Sequence, residues 1–137
     1  MVGYFENGHL FIEFDVWGVF AQSKKKVKAQ IDTGYSGYLT LQYQEAFPLG
    51  LVLIGTKAYT IADDSTMYSF VALGTVEIDG KKITIPIDIQ PKGSILIGMQ
   101  LLKKMEKDLF IDFMNESIKF QDKPNSRPIS STKRKTG

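Results

Sequence analysis

Asp32 is the residue of this chain best placed to do chemistry. It stands in Ala29-Gln30-Ile31-Asp32-Thr33-Gly34-Tyr35-Ser36-Gly37-Tyr38-Leu39-Thr40-Leu41, where an apolar strand delivers one carboxylate to a glycine-bounded turn and a second apolar strand leaves it. Val27, Ala29 and Ile31 alternate with Lys26, Lys28 and Gln30. That period of two directs Ile31 inward and brings Asp32 out where the strand ends. Gly34 and Gly37 predict backbone angles closed to other residues, and so a tight reversal beside the carboxylate. Other chemistries have little to work with. There is no cysteine, so disulfides, thiolate nucleophiles and zinc-thiolate sites are excluded together. His9 is the single histidine and lies far from any serine of interest, which leaves a Ser-His-Asp triad without support. Metal-ligand spacing, a phosphate-cradling glycine loop and a nucleotide fingerprint are all absent from the sequence, and no metal or cofactor is expected.

The elements that must position Asp32 are strands. Leu10, Ile12, Phe14 and Val16 alternate with mixed residues from His9 to Val19, predicting a strand that a polar turn at Gln22-Ser23-Lys24-Lys25 joins to the Asp32 strand. Gln42 to Phe47 reads as one helical turn ended by Pro48. Strand-like segments at Lys57 to Ile61 and Met67 to Leu73 flank Ala62-Asp63-Asp64-Ser65-Thr66, a cluster of turn formers of hairpin length. Asp79-Gly80 is a strong hairpin signal. Beyond it Ile83, Ile85, Ile87 and Ile89 line one face, and Pro86 places that strand at an edge or at a local irregularity. Ser94-Ile95-Leu96-Ile97-Gly98 is an apolar run ending in glycine, and Met99, Leu101, Leu102 and Met105 continue it at helical spacing as core positions. Leu109 to Phe113 and Ile118 to Phe120 make a last hairpin. Asp79 is explained by its turn, and Asp15, Asp88 and Asp112 read as solvent-facing or paired strand residues.

The Asp32-Thr33-Gly34 turn followed by the Leu96-Ile97-Gly98 strand resembles the retropepsin-like aspartic proteases, in which these two motifs cross at the base of each lobe. The small single-domain prokaryotic members are the nearest in pattern. Asp32 to Leu41, Leu49 to Leu51, Ala62 to Ser65, Asp79 to Lys81 and Leu96 to Leu102 follow their order of motifs, over roughly Val27 to Phe113. The resemblance implies an all-β, single-lobe, closed barrel with a flap hairpin and one short helix after the hydrophobic-hydrophobic-Gly strand. It implies Asp32 as the catalytic residue and Thr33 and Gly34 as support for its loop. Tyr35, Ser36, Gly37, Ala62, Asp63, Asp64 and Ser65 are implied to border the substrate. Tyr35 replaces the small or hydroxyl residue of retroviral and pepsin-type enzymes, and Asp64 stands where a flap often has glycine, though aspartate tolerates left-handed angles.

Peptide hydrolysis by activated water needs one group to accept a proton and another to donate one. Two carboxylates about 3 Å apart supply both, because they share a single proton; aspartic proteases are the standard example. The chain holds one Asp-Thr-Gly, so the resemblance implies a homodimer with Asp32 and its mate on the two-fold axis, acting on a peptide or protein substrate. The alternative on the same fold is a dimeric peptide-binding or scaffold protein that does not cleave.

The 137 residues, 43% of them hydrophobic, suit one domain over 1–121. The formal charge of +2 divides unevenly. Lys123, Arg127, Lys133, Arg134 and Lys135 against Asp122 give +4 from residue 122 onward, which leaves −2 for the first 121 residues. The basic character thus belongs to a Pro, Ser and Thr-rich tail, 122–137, expected to be disordered, and argues poorly for nucleic acid as a partner. No apolar run approaches the roughly 20 residues of a membrane span, and no secretory signal opens the chain. A soluble, cytoplasmic protein is expected.

Overall fold

Alternation of buried and exposed residues organises the chain. The computed structural model describes residues 2–18, 20, 23–60 and 62–122. In β2 (His9–Gly18) Ile12, Phe14 and Val16 are fully buried, and in β3 (Lys24–Ile31) Ala29 and Val27 stand opposite Ile12 and Phe14 in an antiparallel pairing, with Ile31 buried in the same core. β6 (Thr66–Ile78) and β7 (Lys81–Gln90) turn Ala72, Val76, Ile78, Ile83, Ile85, Ile87 and Ile89 into the same core. Each valine, isoleucine or phenylalanine among them contributes about 1.5–3 kcal/mol by leaving water, so the period of two selects which face of every strand points inward.

The sheet closes on itself. β4 (Leu39–Gln42) runs parallel to β7, β8 (Leu96–Ile97) joins β4 to β3, and the far end of β6 pairs with β2 from Asp15↔Glu77 to Gly18↔Gly74. The ring β2-β3-β8-β4-β7-β6 is thereby complete. β5 (Val52–Thr60) extends it beyond β6, and β1 (Val2–Glu6), β10 (Ser117–Asp122) and β9 (Lys107–Asp112) extend it beyond β2. The Asp79-Gly80 turn has both residues left-handed, at φ 53° and 81°, the geometry that joins twisted strands. α2 (Met99–Met105) packs Leu101 and Met105 into the core at the helical spacing expected, with Leu102 partly buried against it, whereas Met99 in its first turn is exposed and not a core residue. Among the described residues no helix is long and apolar enough to cross a membrane.

Several expectations are corrected. β1 has no counterpart in the sequence reading; it pairs with β2 through an Asn7-Gly8 turn at φ 52° and 79°, and with β10 on its other side. Lys24 and Lys25 belong to β3 rather than to a turn, opposite Trp17 and Val16, with the Lys24 ammonium over the Trp17 ring and paired with Asp15. Pro48 does not stop the chain after α1 (Tyr43–Ala46). It enters a 3-10 turn, Phe47–Leu49, near the start, where its missing N–H costs nothing, and left-handed Gly50 ends the turn. Pro86 sits in an interior strand, but one residue before β4 begins to pair with β7. The tail from 123 onward lies outside the described residues.

Candidate functional site

Asp32 follows the last residue of β3, and its position is set by hydrogen bonds to β8. The amides of Gln30 and Asp32 donate to the carbonyls of Ile95 and Ile97 at 2.9 Å each. Ile31 and Ile97 are buried side by side in the parallel pairing, and Leu39 meets Ile97 from the other flank. The two motifs therefore cross over a buried apolar floor with the carboxylate at its rim.

The loop is held by the helix that follows β8. The first backbone N–H groups of a helix have no partner within it. Here Gly98, Met99 and Gln100 donate to the carbonyls of Tyr38, Tyr35 and Gly37 at 3.0, 2.9 and 3.0 Å. The same three bonds satisfy the start of α2 and fasten the loop. Within the loop, Tyr35 N–H donates to the Asp32 carbonyl at 3.1 Å, and Gly34 N–H donates to Asp32 Oδ1 at 2.9 Å. Among the described residues no group bonds to the other carboxylate oxygen. Asp32 itself is half-buried, and Thr33, Gly34 and Ser36 are exposed beside it.

Gly34 and Gly37 do not take positive φ, contrary to the expectation from their turn-forming character. Space is the reason for Gly37: a Cβ there would run into the Tyr35 ring and hydroxyl. Gly98 is required in the same way, since a Cβ would strike the Gly37 carbonyl oxygen and come within 2.6 Å of the Tyr35 ring. A Cβ on Gly34 would stand 3.3 Å from Asp32 Oδ1.

Tyr35 is turned inward over Gly37 and Gly98, and its hydroxyl donates to Asp88 Oδ2 at 2.5 Å. Burial, and then this bond, push its pKa far above the ordinary phenol value, so it stays a donor. Asp88 also faces the Lys57 ammonium at 3.5 Å. Sequence reasoning missed this cluster. Asp88 alternates with the buried isoleucines of β7 and so was visibly off the core face, but nothing in the pattern links it to a tyrosine on another element.

Ala62, Asp63, Asp64 and Ser65 lie exposed at the turn between β5 and β6. Asp64 is left-handed at φ 67°. The Asp63 carboxylate accepts the Ser65 hydroxyl at 2.5 Å and the Ser65 N–H at 2.9 Å, which hold its pKa below the usual carboxylate value. Among the described residues no group of acids and histidine could hold a metal ion.

No family model and no curated protein matches the chain. Among solved structures it is similar to EIAV protease, solved in complex with the inhibitor HBY-793, at a TM-score of 0.60 and 12% identity over 79% of this chain and 98% of that one. Simian foamy virus (mac) protease aligns at a TM-score of 0.48 and 18% identity, over 71% of this chain and 98% of that one. The likeness to EIAV protease is one of fold: the chain has the single-lobe, all-β, retropepsin-like architecture.

Proposed function

We propose, from the retropepsin-like fold as premise, that the protein is an aspartic endopeptidase whose site is completed by a second copy of the chain. The observation that carries this reading is the Asp32 carboxylate, held through one oxygen by Gly34 N–H on a loop braced by β8 and α2. One carboxylate cannot both take the proton of the attacking water and donate one to the carbonyl oxygen. In the dimer the ionised Asp32 takes the water proton while the protonated mate donates to the carbonyl, giving a tetrahedral diol. As that intermediate collapses the C–N bond breaks, one diol hydroxyl returns its proton to the mate carboxylate, and the proton held by the first carboxylate passes to the leaving nitrogen. The proton affinities belong to the pair. Thr33 reaches the partner's loop, Ser36 and Gly37 border the substrate backbone, and the β5–β6 hairpin closes over it as a flap.

A surface suited to self-association supports the dimer. The ladder Gln30↔Phe11, Tyr4↔Phe11 and Tyr4↔Ser117 places the β9–β10 turn at the same end of the sheet as Asp32. Phe113 and Met114 in that turn are 71% and 92% exposed. Among the described residues β9 is an edge strand with one partner, an arrangement that invites pairing with another chain.

The test is cleavage of a diverse peptide library between about pH 4 and 7, with Asp32→Asn at matched concentration. The expected result is a rate that rises more steeply than linearly with protein concentration and falls on the order of 10³-fold in the variant. A folded dimer that cuts nothing, or a variant that cuts as well as the parent, rejects the peptidase and leaves a peptide-binding protein on the same fold.

A further inference from the structure

We propose that Asp88 is a positioning residue that couples the Asp32 loop to the β5–β6 hairpin, taking the Tyr35 hydroxyl from the loop and the Lys57 ammonium from the hairpin. The coupling stands on geometry alone; its catalytic consequence rests on the peptidase reading above.

Asp88 is well placed to be the fixed point. β7 pairs it with Thr40 of β4 on one side and Val71 of β6 on the other, and its side chain is 14% exposed. Thr40 is itself tied down, accepting the Leu96 N–H at 2.8 Å and donating to the Ser94 carbonyl at 2.9 Å. The two arms that reach Asp88 differ in strength. The Tyr35 hydroxyl makes a short, charge-assisted bond from a half-buried ring whose place Gly37 and Gly98 keep open. Because the Tyr35 and Gly37 carbonyls also receive the first amides of α2, this bond acts on the loop that carries Asp32. Lys57, by contrast, is 54% exposed and reaches Asp88 at 3.5 Å, an ion pair weakened by solvent.

The space between loop and hairpin is not filled by packing. A cavity of about 220 Å³ lies there, lined by Gly37 and Tyr38 of the loop, Lys57 and Val71 of the hairpin strands, and Pro86 and Asp88 of β7. The polar bridge therefore spans a gap that side chains leave open. A firm bond to the loop and a releasable one to the hairpin allow β5 to lift without disturbing Asp32. They also favour the lowered position when it returns.

Amide hydrogen exchange tests the coupling in the full chain, whatever the activity. In Asp88→Asn, which keeps an acceptor oxygen but loses the charge, exchange is expected to quicken about three- to ten-fold in 33–38 and about two- to five-fold in 52–60, where an exposed ion pair is lost. In a Lys57→Met background the same substitution should no longer change 52–60, and in a Tyr35→Phe background it should no longer change 33–38. Lys57→Arg should behave as the parent. A merely structural Asp88 would loosen the loop alone, or would loosen β5 equally with and without Lys57; either result overturns the proposal. Should Asp88→Asn not fold, salt puts the question to the intact chain. About 1 M salt screens an exposed pair, so exchange in 52–60 should rise with salt in the parent and not in Lys57→Met; equal salt responses overturn the coupling. If the protein cleaves peptides, Lys57→Met should raise KM with kcat held, and Tyr35→Phe should lower kcat with KM held. If the parent cleaves nothing, the peptidase reading fails while the exchange results still decide the coupling.

Discussion

The Asp32 loop and the tip of the β5–β6 hairpin are both short turns around an aspartate, and they are held in opposite ways. At the tip the hydrogen bonds among the described residues are local: Asp63 accepts from Ser65 two positions on, and its neighbours are exposed. In the Asp32 loop the decisive bonds come from Ile97, Gly98, Met99 and Gln100, far along the chain, over a buried floor of Ile31, Leu39 and Ile97. Local bonds can form and break with little effect elsewhere, whereas bonds that also complete a helix start and a strand crossing break only with the fold. The same side chain thus sits on a fixed support in one place and on a yielding one in the other.

The contrast is tested hardest at Gly98. In Gly98→Ala the new methyl would meet the Gly37 carbonyl and the Tyr35 ring, so the loop and α2 must part. A loss of about 3 kcal/mol is expected, read as a fall in the urea midpoint at unchanged slope. A loss below about 0.5 kcal/mol, the ordinary scatter of surface substitutions, would mean that the loop yields as easily as the tip.

A turn of intermediate character sharpens the scale. At the β6–β7 turn, Lys107 donates to Asp79 Oδ2 at 2.8 Å and to the Asp79 carbonyl at 3.1 Å, with side chains 12% and 19% exposed. The Lys107 ammonium holds the Asp79 pKa below its usual value, and Asp79 raises that of Lys107. A depressed carboxylate stabilises the fold above its unfolded pKa and stops doing so as pH falls through the folded one. A raised ammonium stabilises below its unfolded pKa and stops as pH rises through the folded one. Asp79→Asn should therefore cost at most about 1 kcal/mol near neutrality. The difference should shrink as pH falls through the depressed folded value, where the parent carboxyl is also protonated. Chemical denaturation of both proteins across that range checks the sign.

How much was legible follows the same division between local and distant. The four isoleucines of β7 were readable because alternation is a local pattern, and all four are buried. Asp79-Gly80 was readable because two residues suffice to specify its turn. Asp32 at the end of an apolar strand was readable, and so was the apolar-Gly strand that meets it. The reason for Gly37 was not, since it lies in where the Tyr35 ring packs rather than in backbone angle. Lys24 and Lys25 looked like a turn because their strand partners, Trp17 and Val16, declare themselves only once β2 and β3 are paired. Tyr35 and Asp88 share no pattern at all; β4 and β7 must be laid parallel before the hydroxyl can find the carboxylate. The Asn7-Gly8 turn was a local signal that went unread.

The smallest effect belongs to the hairpin tip. Asp64 is left-handed at φ 67° and exposed, a conformation that costs an ordinary L-residue about 1–2 kcal/mol, aspartate less, and glycine almost nothing. Glycine gives back most of that gain through the larger freedom of its unfolded chain. Asp64→Gly should therefore stay within about 0.5 kcal/mol of the parent, while Asp64→Val, β-branched in the same conformation, should lose about 1 kcal/mol. Exchange at the tip amides should rise in Asp64→Gly with 33–38 unchanged. If it instead destabilised the whole chain as Gly98→Ala does, the tip would be as firmly built as the loop, and a hairpin that lifts independently of Asp32 would be ruled out.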